Sequence, residues 1–326
     1  TNNYNLIFLT IGENLSDSNL LYSQVIKIAE FFSIKGDLFK NVRYVGILPL
    51  RSFIADNVLP NRRNKKQFIK DLHFKCTMLL TPFGIGSAIR FLSKSLISRM
   101  EAYTISKTIA IQDNTIIHCR SYYSTYTAIK LKRMNPHKNI RIVFDMRSLF
   151  AQEFPFMMGK LGEILYGSAK EWEWQLLRES DLSLLMQKEA RELLKIENPQ
   201  VKVSEISIIG LDTEYSIGLD DIDFKKRWAR KAVSYIGSYG AWHSLHYIVD
   251  SLVYFNKAIN DSEAIFVTTQ PIKGKINKKI KVTSIRHSEI MYFYKDLLAL
   301  IIPGKKCTNY FDSIQLSANL FSTKAV

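Results

Sequence analysis

Cysteine is nearly absent: three residues in 326, Cys76, Cys119 and Cys307, lie scattered without paired spacing. So sparse and odd a set excludes a disulfide framework or a cysteine-built zinc site and points to a reducing compartment. Histidine is almost as thin, six in all, with no HxxxH or HExxH arrangement, which removes the usual frame of a metal hydrolase. No stretch of about 18 uninterrupted apolar residues occurs, so no segment is expected to span a bilayer. The chain opens on a polar stretch and a strand pattern, and no signal peptide is expected. GxSxG elbows and GxxxxGK[ST] loops are also missing, which disfavours a serine hydrolase or a P-loop NTPase.

Acidic residues are few in one half only. The chain carries 45 Lys and Arg against 30 Asp and Glu, a formal charge of +15. Residues 1–170 hold 24 basic and 11 acidic side chains, a net +13, which leaves +2 for the remainder. An excess so placed points to an anionic partner: a phosphate-bearing substrate, an acidic membrane surface or a nucleic acid. Basic density peaks at Arg62, Arg63, Lys65 and Lys66, followed by Lys70 and Lys75. From Ser87 onward the spacing predicts a helix, with Ile89, Leu92, Leu96 and Met100 on one stripe and Ile97 beside it. Basic charge next to an apolar helix face suits an anionic bilayer, and it equally suits a core helix beside a solvated charge run. Nucleic acid is disfavoured, because aromatic residues do not interleave with the basic run as stacking platforms.

Apolar runs alternating with helical spacing fill the chain. Asn5–Ile11, Asn41–Leu48, Ile116–Arg120 and Ile140–Met146 read as strands, and Asn19–Phe32 and Thr125–Arg133 as helices. A long helix is expected over Leu161–Arg178, strands near Asp181–Met186 and Val203–Ile209, and a short helix between those strands. After an acidic, glycine-bearing stretch the alternation resumes. Strands are expected over Ala232–Ile236, Glu263–Thr268, Lys279–Thr283 and Leu297–Ile302, the last of them buried, and helices over Ser244–Ala258 and Glu289–Lys295. This predicts an α/β chain of two tandem doubly wound domains. An N-terminal domain would cover residues 1–215, a linker 216–230, and a short C-terminal domain 231–326. In open parallel sheets ligands collect beyond the carboxyl ends of the strands. His118, Arg120, Asp145 and Arg147 fall at two such ends. Two guanidinium groups there invite a phosphate or carboxylate, although Arg147 could instead pair with Asp145 or Glu153, and His118 could be a structural histidine. Gly12, alone after the first strand, reads as an ordinary turn.

Four segments then carry a resemblance. Ile116–Ser121 (IIHCRS) is similar to a "HARS" strand end, Phe144–Glu153 (FDMRSLFAQE) to "DMRGxxxxE", Ile206–Tyr215 (ISIIGLDTEY) to "IPNGVDTxxF", and Val233–Trp242 (VSYIGSYGAW) to "YxGSLGxWY". In this order and spacing they resemble the family-4 retaining glycosyltransferases of the two-Rossmann (GT-B) fold, which build bacterial polysaccharides and glycolipids. The resemblance covers most of the chain. It implies a nucleotide-sugar donor held by the C-terminal domain and a lipid-linked or glycan acceptor against the N-terminal one, with retention of configuration and neither a metal nor another cofactor. His118 would face the reacting sugar, and Arg120 and Arg147 would hold donor or acceptor phosphates. Gly237, Ser238, Gly240, Arg286, Lys305 and Ser313 would frame the donor. The implied protein is cytoplasmic and peripheral at the inner face of the membrane.

The chain departs from the pattern near its end. Gly240–His246 contains no Arg or Lys, and within Tyr310–Val326, which resembles "SPTKxxEYLAxGxPV", Gln315 stands for Lys and Ala318 for Glu. Lys305 and Lys306 could replace the lost cations. A second reading stays open, a catalytically degenerate transferase fold acting as scaffold or regulatory partner of an active enzyme. The resemblance also implies further chain beyond the "PV" that Ala325-Val326 matches, so the C-terminal domain is expected to be short or cut.

Overall fold

The computed structural model describes residues 4–13, 21–36, 38–50, 72–82, 88–185, 188–200, 204–205, 232–237, 245–259, 262–268, 272, 276–285, 293 and 297–301. The chain divides into two compact units, Thr1–Ile208 and Ile209–Val326. The stretch 216–230 lies outside the described residues.

In the first unit seven parallel strands are ordered β3-β2-β1-β4-β5-β6-β7. They are β1 (Asn5–Ile11), β2 (Asn41–Pro49), β3 (Lys75–Thr81), β4 (Thr115–Arg120), β5 (Ile140–Met146), β6 (Leu182–Leu185) and β7 (Ser204–Glu205). A π-helical turn (Tyr22–Ile26) runs into α1 (Lys27–Ile34) between β1 and β2. Helices α2 (Ala88–Leu92) and α3 (Lys94–Thr108) precede β4, and α4 (Ser121–Met134) joins β4 to β5. Helices α5 (Phe150–Met158) and α6 (Lys160–Glu179) lead to β6, and α7 (Lys188–Glu197) follows it. The order reverses between β1 and β4, and that reversal sets the position of the site.

The central strands are apolar on both faces, as parallel strands between helices must be; β1 is buried throughout. Phe8, Leu6, Val42 and Tyr44 pack against Leu21, Val25, Ile26 and Ala29 of the α1 segment. An aromatic cluster centres on Trp172, whose ring lies 5.1–5.8 Å from those of Phe91, Tyr122, Tyr123, Tyr126 and Phe150. Beneath it Arg90, fully buried, pairs with Glu101 at 2.7 Å, and Thr127 Oγ1 donates to the other carboxylate oxygen at 3.0 Å.

The second unit repeats the plan with four parallel strands ordered β10-β9-β8-β11. These are β8 (Ala232–Ile236), β9 (Glu263–Val267), β10 (Ile280–Thr283) and β11 (Leu297–Leu300), with α8 (Leu245–Ala258) crossing between β8 and β9. Val233, Tyr235, Ala264 and Phe266 pack against Ile248 and Leu252.

Several expectations change in detail. Helix α4 starts at Ser121, four residues before the apolar spacing begins, because the chain turns directly from β4 into it. Strand β3 and helix α5 carry no clear periodic signal, the latter because Pro155 sits within it. β11 was expected to be buried, yet Leu298 is exposed, since β11 is an edge strand among the described residues. The expected strand 203–209 is described only at Ser204–Glu205, and the expected helix 289–295 lies almost wholly outside the described residues.

Candidate active site

Where a parallel sheet reverses its order, the connections leave adjacent strands in opposite directions and open a crevice at their carboxyl ends. In the first sheet that point falls between β1 and β4. Strand β1 ends on Gly12, whose φ of +82° an L side chain rarely adopts. The turn directs Glu13 across the reversal point. From β4, Arg120 meets it: Nε lies 2.7 and 2.8 Å from the two Glu13 oxygens, and Nη1 donates to Gln24 Oε1 at 2.7 Å. Glu13 and Gln24 were missed in the sequence. A lone Gly-Glu after a first strand was the only local signal, and nothing along the chain shows Gln24 turning back to the same edge.

Register places Arg120 beside Thr10 on one side and Asp145 on the other. Asp145 is fully buried. Its Oδ2 accepts from Arg147 Nε at 2.8 Å, whereas Oδ1 has no hydrogen-bond partner among the described residues. Burial pulls the Arg147 guanidinium below its ordinary range, and the Asp145 carboxylate works against that pull. Two residues before Arg120 on the same sheet face, His118 sits with its ring 5.0 Å from that of Phe8. Its Nδ1 is buried and has no hydrogen-bond partner among the described residues. Burial lowers its pKa below 6.5, with Asp145 opposing and Arg147 and Arg120 adding to the effect, so the imidazole is neutral near pH 7. His118, Arg120 and Arg147 are thus within electrostatic reach of one another, and Arg147 pairs with Asp145.

Local chemistry holds these groups in place. Ser121 takes a φ of +73°, a strained value for a residue with a side chain. Its carbonyl accepts from the Ser124 and Thr125 hydroxyls, each at 2.8 Å, which pin the β4–α4 turn. After β5 the chain is tied down by Tyr122. The Tyr122 hydroxyl donates to Glu173 Oε2 at 2.6 Å, lies 2.9 Å from Ser148 O, and accepts the Phe150 N–H at 3.0 Å. Glu173 is fully buried and is neutralised by Lys170 at 2.6 Å, which also pairs with Glu197 at 2.7 Å. Burial alone would lower the Lys170 pKa, but the two carboxylates more than offset it and hold it above its ordinary value.

The second sheet reverses between β8 and β11, and there too the first strand ends on a glycine of positive φ, Gly237 at +142°. Gly12 donates its N–H to Ile47 O of the neighbouring strand at 2.7 Å, and Gly237 donates to Val267 O at 3.0 Å. The same device therefore closes the first strand of each unit. Ser238, Gly240, Arg286, Lys305 and Ser313 lie outside the described residues.

No family model matches the chain, and no curated protein matches it in sequence. Solved structures do match in shape. A sucrose-phosphate synthase from Thermosynechococcus elongatus superposes with a TM-score of 0.61 at 10% identity, over 92% of this chain and 75% of that one. The α,α-trehalose 6-phosphate synthase of Burkholderia multivorans gives 0.59 at 9% identity, over 96% and 81%. A UDP-forming α,α-trehalose-phosphate synthase from Burkholderia xenovorans, in complex with glucose-6-phosphate, gives 0.56 at 10%, over 96% and 82%. The chain has the GT-B fold. At these identities the likeness extends to the fold alone, and the narrower resemblance to family 4 is not part of it.

In open parallel sheets the carboxyl edge is where ligands collect. In the first sheet that edge offers alternating charge, from Glu13 and Arg120 to Asp145 and Arg147, with a neutral imidazole alongside. Such a set suits a polyhydroxylated, phosphate-bearing ligand, since carboxylates accept from sugar hydroxyls and guanidinium groups donate to phosphate oxygens. Among the described residues no three His, Cys, Asp or Glu side chains are grouped as a metal ion would need.

Proposed function

We propose that this protein is a glycosyltransferase that moves a sugar from a nucleotide-sugar to a hydroxyl of a lipid-linked or glycan acceptor in surface polysaccharide or glycolipid assembly, with retention of configuration. The observation that carries the reading is the cluster at the β1–β4 reversal, where Asp145 Oδ1 and His118 Nδ1 are buried without hydrogen-bond partners among the described residues. Burying such atoms costs about 1–3 kcal/mol each unless something satisfies them, and sugar hydroxyls would do so. Glycosyl transfer from a nucleotide donor releases a diphosphate. Stabilising that charge as it develops needs fixed cations in a site closed to water. Arg147, held by Asp145 and followed by Ser148, whose carbonyl meets the Tyr122 hydroxyl, and Arg120, held by Glu13 and Gln24, are pre-positioned for it. His118, neutral, can accept from the acceptor hydroxyl or donate to the sugar ring substituents. The donor would rest on the second unit, where Gly237 lets backbone approach a diphosphate closely. The neighbouring structures are named as synthases of sugar phosphates, one of them UDP-forming, which favours a UDP-hexose as first donor to try.

A membrane-side acceptor agrees with a second surface. Ile89, Leu92, Leu96 and Met100 are 59, 63, 63 and 53% exposed, while Ile97 and Arg90 point inward. The stripe predicted from spacing therefore faces solvent, on the unit that carries most of the positive charge. Among the described residues no helix is long and apolar enough to cross a membrane, so contact would be lateral, through this stripe and anionic headgroups.

Titration of the full chain with UDP-, GDP-, CMP- and TDP-sugars tests the assignment, and binding of one of them is expected. Arg147→Ala should then lower transfer by about a hundredfold or more with the far-UV spectrum unchanged; full activity in that variant would overturn the role given to Arg147. The scaffold reading draws support from the carboxylates that already engage both guanidinium groups. It predicts that no nucleotide-sugar binds at all.

A further inference from the structure

The amino edge of the first sheet, opposite the carboxyl edge just described, holds a cleft of about 340 Å³. Its floor is polar. Asn5, Asn41 and Thr115 are the first residues of β1, β2 and β4 and lie in register with one another. Asn41 Nδ2 donates to Asn5 Oδ1 at 2.8 Å, and Asn5 Nδ2 to Asp113 O at 3.2 Å. The walls are basic. Lys40, Arg43 and Lys75 line the cleft together with His73, and among the described residues no carboxylate lines it. None of the three cations has an ion-pair partner among those residues. By contrast Lys132, Arg133, Lys170 and Arg90 elsewhere on this unit are all paired.

Two of these charges are forced together. Arg43 of β2 and Lys75 of β3 are direct cross-strand partners on one face of the sheet. Like charges directly opposite destabilise a strand pair. Helix dipoles do not cancel the excess. The C-termini of α1 and α3 open on this edge and bring about half a negative charge each, against three full positive charges. A concave, polar-floored cleft whose cations meet no carboxylate among the described residues offers what a phosphate group requires, donors on several sides.

We propose that the amino edge of the first sheet is a second anion site, taking a phosphate monoester or diester through Arg43, Lys75 and Lys40. The site is separate from the transfer centre and does not depend on the reading of that centre. A phosphate could come from a soluble sugar phosphate or from a lipid headgroup, and the test separates the two sources. Calorimetric titrations of the full chain with inorganic phosphate and glucose 6-phosphate form the soluble arm. Sedimentation with phosphatidylcholine vesicles, with and without phosphatidylglycerol, forms the lipid arm. Each is run on the wild type, on R43Q/K75Q and on R147A.

The double variant should weaken phosphate binding by about tenfold or more, since each charge-assisted hydrogen bond removed is worth at least a factor of that order. R147A should keep this binding, which distinguishes the site from the transfer centre. R43Q/K75Q relieves a repulsion, so without ligand it should melt no lower than the wild type, and a loss of binding cannot then be ascribed to unfolding. Weakened binding of the soluble probes assigns a free phosphate. Weakened binding to phosphatidylglycerol vesicles alone assigns a headgroup. Equal behaviour of wild type and R43Q/K75Q toward every probe, or loss of the phosphate binding in R147A alone, overturns the proposal.

Discussion

At the scale of single residues, the carboxyl edge of the first sheet is held by groups that burial has made unusual. His118 titrates below its ordinary 6.5 because it is desolvated, and Arg147 and Arg120 reinforce that. The unfolded chain binds a proton near pH 6.5 that the folded chain refuses until a lower pH. Stability attributable to His118 is therefore complete above about pH 6.5 and is lost as pH falls from there toward the folded value, at no more than about 1.4 kcal/mol per pH unit. Urea unfolding between pH 7.5 and 5 should show this fall, and His118→Asn should flatten it. An unchanged slope in the variant would remove His118 from the buried, neutral role. His118, Arg120, Asp145 and Arg147 were visible in the sequence as polar residues closing two apolar runs. Glu13 and Gln24 were not, because their relation to Arg120 spans 107 and 96 residues and no local pattern records it.

Elements show a different balance. Helices α5 and α6 pack so closely that Gly162 has no room for a side chain. A Cβ there would collide with Phe154 O and lie 2.7 Å from Pro155 Cα. Backbone cannot swing aside as a flexible side chain would, so Gly162→Ala should push the two helices apart. The expected loss is about 1–3 kcal/mol despite the gain of about 1 kcal/mol in helix propensity, read as a lower denaturant midpoint. Helix α5 begins directly after the segment of Arg147 and Ser148, so transfer should fall as well. Spacing alone brought out α6 and β5, whose apolar periods are regular. It did not bring out α5, with a proline inside, or β3, where basic and polar residues interrupt the run. The stripe on α2 and α3 shows the limit of spacing most plainly. Period 3.6 predicts which side chains share a face but not whether that face meets a core or water, and here it meets water.

For the whole molecule, the two units each own a separate apolar core and a complete sheet reversal. Domains built in this way unfold as independent cooperative blocks unless their contact is extensive. Scanning calorimetry should resolve two transitions. A nucleotide-sugar at about a hundred times its Kd should raise the transition of the unit that holds it, because such binding adds about 2.7 kcal/mol. A ligand that moves only the transition of the Thr1–Ile208 unit would contradict placing the donor on the second unit. The net charge of +15 adds an ionic-strength dependence to any anionic partner.

The sequence by itself determined the alternation of strands and helices, the tandem doubly wound plan, and the charged ends of β4 and β5. Those follow from periodicity and from polar residues that must sit where a strand leaves the core. Only the tertiary structure decided that the first sheet reverses between β1 and β4, bringing Glu13 and Gln24 onto Arg120, and that Arg147 turns onto Asp145. It also set Arg43 against Lys75 at the far edge. Strand order and register are long-range pairings, fixed by how whole elements bury one another, and a local pattern of residues carries no record of them.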